Sequence, residues 1–263
     1  MISPASGDSV LELVTYMPTF FHRASVTLTL AALIWLSSLC APPLRAASQL
    51  SPASPALVSA AALGTNLIVN GDAESGAGST DGSIVSVPGW DRVGNWATVV
   101  QYGSPAGFPA ASSAGPASRG ANFFAGGPDI NGQGVSYLTQ SIDVSSLQSR
   151  IVSGTLSYVL QGYFGGYASD ADYAGIKIFF LTACGQLPEI SSAQAGPVTA
   201  ADRGNVTGLL SRRTTGTIPA ATRCILVNLD FNRFSGTGTY NDGYADNLSL
   251  VLGGAAMLPV VSR

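Results

Sequence analysis

The chain has 263 residues, with 12 Lys+Arg against 15 Asp+Glu and a formal net charge of −3. That balance excludes a nucleic-acid binder, which needs a basic patch to neutralise phosphates. A single His (His22) and a single Lys (Lys177), with no GxxxxGK and no GxSxG, exclude His-dependent triads, His-ligated zinc, P-loops and nucleophile elbows.

In chain order, residues 24–41 form an apolar run preceded by His22 and Arg23 and followed by small residues. This is the layout of a secretory signal peptide. Leu44-Arg45-Ala46 suits a signal peptidase, so residues 1–46 are expected to be removed, with Met17 as an alternative start. Cys40 is not expected to carry lipid, because Leu39 stands where a small residue is needed. The rival reading, an uncleaved anchor, has a run marginal for a span of about 20 residues. The expectation is a secreted, extracellular or cell-surface protein with no stable membrane anchor. Residues 47–65, rich in Ala, Ser and Pro, read as a linker. One domain is expected over 66–252, with 253–263 as a tail.

The domain reads as β throughout. Strands are expected at 66–70, 95–102, 121–125 and 135–144. Leu156, Tyr158 and Leu160 alternate with Ser157, Val159 and Gln161, and 176–181 is apolar on both faces, as a central strand would be. Ile225, Val227, Leu229 and Phe231 alternate with Leu226, Asn228, Asp230 and Asn232, which predicts a strand with one wet face. Leu248, Leu250 and Leu252 repeat the pattern. Gly/Pro/Ser/Asn clusters at 103–120 and 235–243 mark turns. No stretch of useful length carries a helical period. Short strands with regular turn signals predict an all-β sandwich, most commonly a jelly roll at this size.

Motifs at both ends of the domain carry a resemblance. Residues 66–76, N-L-I-V-N-G-D-A-E-S-G, resemble the opening segment of galactose-binding-like jelly rolls, in particular carbohydrate-binding modules of families 4, 9, 16 and 22. Val87-Pro88-Gly89-Trp90, the segment 139–144 (T-Q-S-I-D-V) and the closing 244–250 (Y-A-D-N-L-S-L) are similar to further motifs of the same group. Ala73 replaces the usual Phe, and 183–222 matches no motif. The resemblance implies a structural calcium held by Glu74 and Asp246 with backbone carbonyls around Gly71 and Asp72. Such an ion takes several hard oxygen ligands. Asp170 and Asp172 superficially imitate the start of an EF-hand, but Ala174 and Leu181 stand at ligand positions, so that motif is rejected.

The function implied is non-catalytic binding of a polysaccharide or glycan by a monomer. Sugar rings stack on aromatic faces while their hydroxyls need planar polar side chains. Tyr163 and Tyr167, around a glycine pair, are the first candidates, with Trp90 or Trp96 as further platforms and Gln161, Asn228 and Asp230 as hydrogen-bonding partners. For each aromatic taken singly, a packing role competes. Two alternatives stay open: an extracellular surface or matrix protein using the same fold for protein contacts, and a glycoside hydrolase with two carboxylates across a cleft. No carboxylate pair stands out. Removing the signal leaves Cys184 and Cys224, an even count in an exported chain, which predicts one disulfide.

Overall fold

A computed structural model describes residues 55–94, 96–129, 134–234 and 238–254. The expected signal peptide, most of the linker and most of the tail lie outside them. Eleven strands are described: β1 (Ala56–Leu57), β2 (Asp91–Val93), β3 (Thr98–Gln101), β4 (Asn122–Pro128), β5 (Val135–Asp143), β6 (Leu156–Gly166), β7 (Tyr173–Leu181), β8 (Ser191–Ala195), β9 (Gly208–Thr217), β10 (Cys224–Asn232) and β11 (Tyr240–Gly254). A single short helix, α1 (Gln148–Val152), follows β5. Among the described residues no helix is long and apolar enough to cross a membrane.

The strands form two sheets. Sheet A runs β1-β5-β10-β7-β8, with β2 also on the outer edge of β5; sheet B runs β3-β4-β11-β6-β9. Every pairing is antiparallel except the two-residue match of β1 to β5. The jelly-roll β-sandwich expected from the sequence is therefore the fold. Period-two alternation places one face of each sheet inward. Leu138, Ile176, Ile178, Val227, Leu229 and Phe231 from sheet A meet Val99, Phe124, Leu160, Phe164 and Leu250 from sheet B in one buried core. Each such side chain contributes roughly 1.5–3 kcal/mol on burial, which is what holds two otherwise separate sheets face to face.

Two expectations are corrected. The linker reading fails from residue 56 onward: β1 pairs with Ile142 and Asp143, Val58 is buried, and the Ser146 hydroxyl donates to the Val58 carbonyl. The strand is only two residues long, Ala56 and Leu57, inside a Pro/Ser/Ala-rich stretch, so composition did not betray it. Residues 66–70 are not a strand. Asn66 bridges to Val251, its Oδ1 accepts the Ile68 and Leu250 N–H groups, and the Gln140 side chain both donates to and accepts from the Val69 backbone. Side-chain amides thus replace a ladder there, and Asn70 then turns at φ 50°. Finally, 183–222, unmatched by any motif, holds β8 and the ten-residue β9.

Cys184 and Cys224 are joined, as predicted, with Cα atoms 5.1 Å apart. The bridge closes the excursion through β8 and β9 onto the first residue of β10. Its sequence separation of 40 corresponds to about 4 kcal/mol in the chain-entropy picture. Replacing both cysteines by serine should lower the unfolding free energy from urea denaturation by about that amount, with an earlier midpoint and a somewhat steeper slope because the unfolded chain is no longer cross-linked. The native protein, denatured without reductant, should release no titratable thiol.

Candidate functional site

The outer faces of the two sheets differ. On sheet B, the 103–120 loop lays Phe108 against Phe123, Tyr240 and Tyr244, with ring centroids 6.1, 5.4 and 6.1 Å away. Val100, Ala125 and Leu209 complete this second buried cluster, with Tyr102 and Tyr163 packed on it. Sheet B is covered on both faces over this half.

Sheet A is open on its outer side, and strand register arranges that face into rows. One row runs Gly175–Asp230–Tyr137–Val93 across β7, β10, β5 and β2. The next runs Gln194–Lys177–Asn228–Thr139–Asp91, and the one below it Ser192–Phe179–Leu226–Ser141. Tyr137, Phe179, Asn228, Thr139 and Leu226, with Val93, enclose a shallow cavity of about 300 Å³. Tyr137 and Phe179 are half-buried, so their rings are supported from beneath and reachable from above. The Lys177 ammonium sits over the Phe179 ring, 4.6 Å from its centroid. Toward the other end of β10 a smaller pocket of about 70 Å³ is lined by Tyr173, Gly175, Gln194, Gly196, Pro197 and Asp230, among others. Burial pushes the Asp230 carboxyl up to about 6, against the hydrogen bond from Asn232.

The sugar-binding residues expected from sequence are divided by this geometry. Asn228 and Asp230 do line the open face. Trp90 and Trp96 do not act as platforms: they are 8% and 4% exposed. Trp90 packs edge-on to Phe124 and donates its indole N–H to the Asn70 carbonyl, which makes it a core plug. Gln161 and Tyr163 lie on the outer side of sheet B, on the far side of the sandwich from Asn228. Tyr167 is 41% exposed, beside Gly107 of the covering loop. Sequence reasoning missed Tyr137, Phe179 and Lys177. Strand alternation placed Tyr137 and Thr139 on one side of β5, but the apolar run of β7 concealed that Phe179 faces out.

Of the carboxylates expected to hold calcium, Glu74 and Asp72 lie near enough to Asp246 for their charges to act on it. Asp246, fully buried, accepts the Tyr102 hydroxyl (2.7 Å) and the Asn247 N–H (2.7 Å). Glu74 accepts the Ala121 and Asn122 N–H groups at 2.9 and 2.8 Å. The Gly71 carbonyl accepts the Leu248 N–H at 2.7 Å, and a Cβ at Gly71 would fall 2.2 Å from the Leu248 oxygen. Opening segment and closing strand are therefore pressed together at a position only glycine fits. Burial raises the Asp246 carboxyl to about 7, with the negative charges of Glu74 and Asp72 adding to the effect. Among the described residues no Lys or Arg nitrogen lies within 4 Å of Asp246 or Glu74. Oxygen donors crowded around an uncompensated buried charge fit a hard cation.

A second acidic group was not foreseen. Asp170, Asp172 and Asp242 each offer an oxygen, all within 4.8 Å of one another, and such a group can bind a metal ion. Asp172, 2% exposed, also accepts the Phe234 N–H (2.7 Å) and the Asp242 N–H (2.9 Å), tying the β6–β7 loop to the β10–β11 connection. Burial pushes it up to about 6. The rejected EF-hand fragment thus supplies two of the cluster's three members, and the third, Asp242, lies 70 residues beyond Asp172 with no local motif to announce it.

No family model matches the chain, and no curated protein matches it. Solved structures do, as likenesses of fold. The enzymatically active domain of tailspike protein 4 from bacteriophage CBA120 is 14% identical with a TM-score of 0.43. That match covers 72% of this chain, which spans about a fifth (21%) of the tailspike's length. A family 16 carbohydrate-binding module is 19% identical, with a TM-score of 0.41, over 71% of this chain and 99% of that one. A CBM4 structure is 14% identical, with a TM-score of 0.31, over the same shares.

Asp246, Asp172, Asp230 and Asp242 are all shifted upward by burial. The native state therefore holds more protons than the unfolded chain between the ordinary value of 3.8 and about 7. Stability must fall as pH rises through that window and level off above it. In metal-free buffer the melting temperature should be higher at pH 5 than at pH 7.5. Asp246→Asn should flatten the upper part of the slope. A melting curve that rises steadily from pH 4 to 7 would contradict this.

Proposed function

We propose that the protein is an exported, non-catalytic glycan-binding module that takes its ligand on the open face of sheet A. The observation that carries this reading is the arrangement there: two supported aromatic rings, Tyr137 and Phe179, separated by the planar amide of Asn228 and the hydroxyl of Thr139. A pyranose offers an apolar C–H face to such rings and hydroxyls to such amides. The disulfide supports an oxidising compartment. The open, solvated face supports weak affinity, since few contacts escape competition from water. The domain acts as a monomer in this reading, with no nucleic-acid or membrane partner.

Glu74 and Asp246, helped by Asp72, would hold the structural calcium. The ion would neutralise the buried Asp246 and fasten the opening segment to β11. It stands away from the sheet A face and takes no part in sugar contact.

A glycan array probed with and without calcium tests the function. The double variant Tyr137→Ala, Phe179→Ala should lose binding roughly tenfold or more, about 1.4 kcal/mol, while keeping its melting temperature within a few degrees. Tyr163→Ala, Tyr167→Ala should bind as the native protein does. The reverse outcome moves the site to sheet B, and an array with no ligand at all leaves protein contacts as the use of this face. For the ion, excess chelator should lower the melting temperature by mass action. Glu74→Gln keeps an oxygen for the Ala121 and Asn122 N–H groups but should remove that sensitivity. Elemental analysis finding no calcium in the native protein would reject the site.

A further inference from the structure

We infer that the Asp230 end of the groove seats a protonated amino group, so that the glycan bound on sheet A is one built from amino sugars. This rests on the sheet A reading above and specifies its ligand.

The geometry begins at Gly175. Tyr173 and Lys177, its outward neighbours on β7, carry large side chains, whereas Gly175 leaves a notch between them. Asp230 stands directly across on β10, and a Cβ at Gly175 would lie 3.7 Å from each of its carboxylate oxygens. The carboxylate therefore faces the notch. Its described hydrogen bond is the one accepted by Oδ2 from Asn232 Nδ2, at 2.7 Å. No Lys or Arg nitrogen comes within 4 Å of it among the described residues. Lys177, one row away, is drawn to the Phe179 ring instead.

A half-buried carboxylate whose one cationic neighbour, Lys177, acts from beyond salt-bridge distance is only partly compensated, and a cation that reaches it directly relieves the remaining cost. The space beside it, about 70 Å³, has room for an ammonium group. Its upper wall is Tyr173, whose ring lies 5.7 Å from that of Phe234. Aromatic faces attract cations as well as sugar C–H groups. The titratable and charged neighbours are Tyr173 and Lys177 on β7 and Tyr137 on β5; β8 presents the neutral Gln194. From Gly175 to Phe179 the face extends about 13 Å, so the amine pocket and the stacking rings can engage one oligosaccharide together. A neutral glycan would use the rings and leave the carboxylate without a direct cationic partner.

The test uses three β-1,4-linked hexasaccharides that differ only at carbon 2: glucosamine, N-acetylglucosamine and glucose oligomers. Calorimetric titration of the native protein should give glucosamine hexamer at least about tenfold tighter binding than the other two, weakened by added salt. Asp230→Asn should remove that preference while leaving neutral-oligomer binding in place. Gly175→Ala fills the notch at ordinary contact distance, so the variant should fold and show the same loss. Asp91→Asn, an exposed acid on the same face, should leave the preference intact; equal loss there would mean diffuse charge attraction and overturn the inference. Equal affinity for the three oligomers, or a neutral ligand from the array with no response to glucosamine hexamer, would overturn it too while sparing the groove. Absence of any glycan ligand would bring down the groove reading itself.

Discussion

Phe108 reaches from its loop onto Phe123, Tyr240 and Tyr244, and the molecule's division of labour depends on that contact. A sandwich has two outer faces, and each exposes whatever its strands alternate outward. On sheet B those residues are Val100, Phe123, Leu209 and Tyr244, which water would penalise if bare. The loop that shields them turns sheet B into an interior layer and brings Tyr102 over Asp246. Sheet A has no such cover, so its mixture of rings, amides and one carboxylate stays accessible. Had the apolar outward residues been on β7 and β10 in greater number, the loop would have had to lie there and close the groove.

The second organising feature is a set of carboxylates held without salt bridges. Asp246 sits where the two ends of the domain meet, Asp172 ties the β6–β7 loop to the β10–β11 connection and to β11, and Asp230 borders the notch. Each is oriented by backbone, hydroxyl or amide hydrogen bonds rather than by a salt bridge, so position is fixed while charge is left without a directly paired cation. Ion pairs would have secured the same geometry with less sensitivity to solvent conditions. Retaining bare acids instead leaves the protein dependent on protons or on something cationic from outside.

Much of the fold was legible because alternation is a local property. The strict alternation of 225–232 identified β10 and its wet face, and the leucines of 248–252 identified the inner face of β11. β9 escaped because it is an edge strand whose positions read Arg, Arg, Thr, Thr and Gly, with too few apolar residues to show a period. β1 escaped because Ala and Leu in a Pro/Ser-rich context look like tether. The open face of sheet A was only half legible. Asn228 and Asp230 could be placed by their alternation with apolar neighbours, but an aromatic that faces solvent on a central strand, as Phe179 does, has the same letters as one that faces the core. For Trp90 the sequence left platform and packing roles equally open, and the core claimed it. Asp242 joins Asp170 and Asp172 through long-range pairing, which no local spacing can encode.

Lys177 has a practical consequence. It is the one lysine in the chain, and it lies in the middle of the open face, beside Asn228 and over Phe179. Apart from the chain's amino terminus it is therefore the sole target for amine-directed chemistry. A succinimidyl dye, a biotin ester or a carboxymethyl sensor surface would attach the protein through the very face argued to receive the ligand. A molecule coupled in that way would seem inert for reasons unrelated to its fold. The same chemistry, used deliberately, offers a footprint: protection of one amine from acylation would report occupancy of the groove without any mutation.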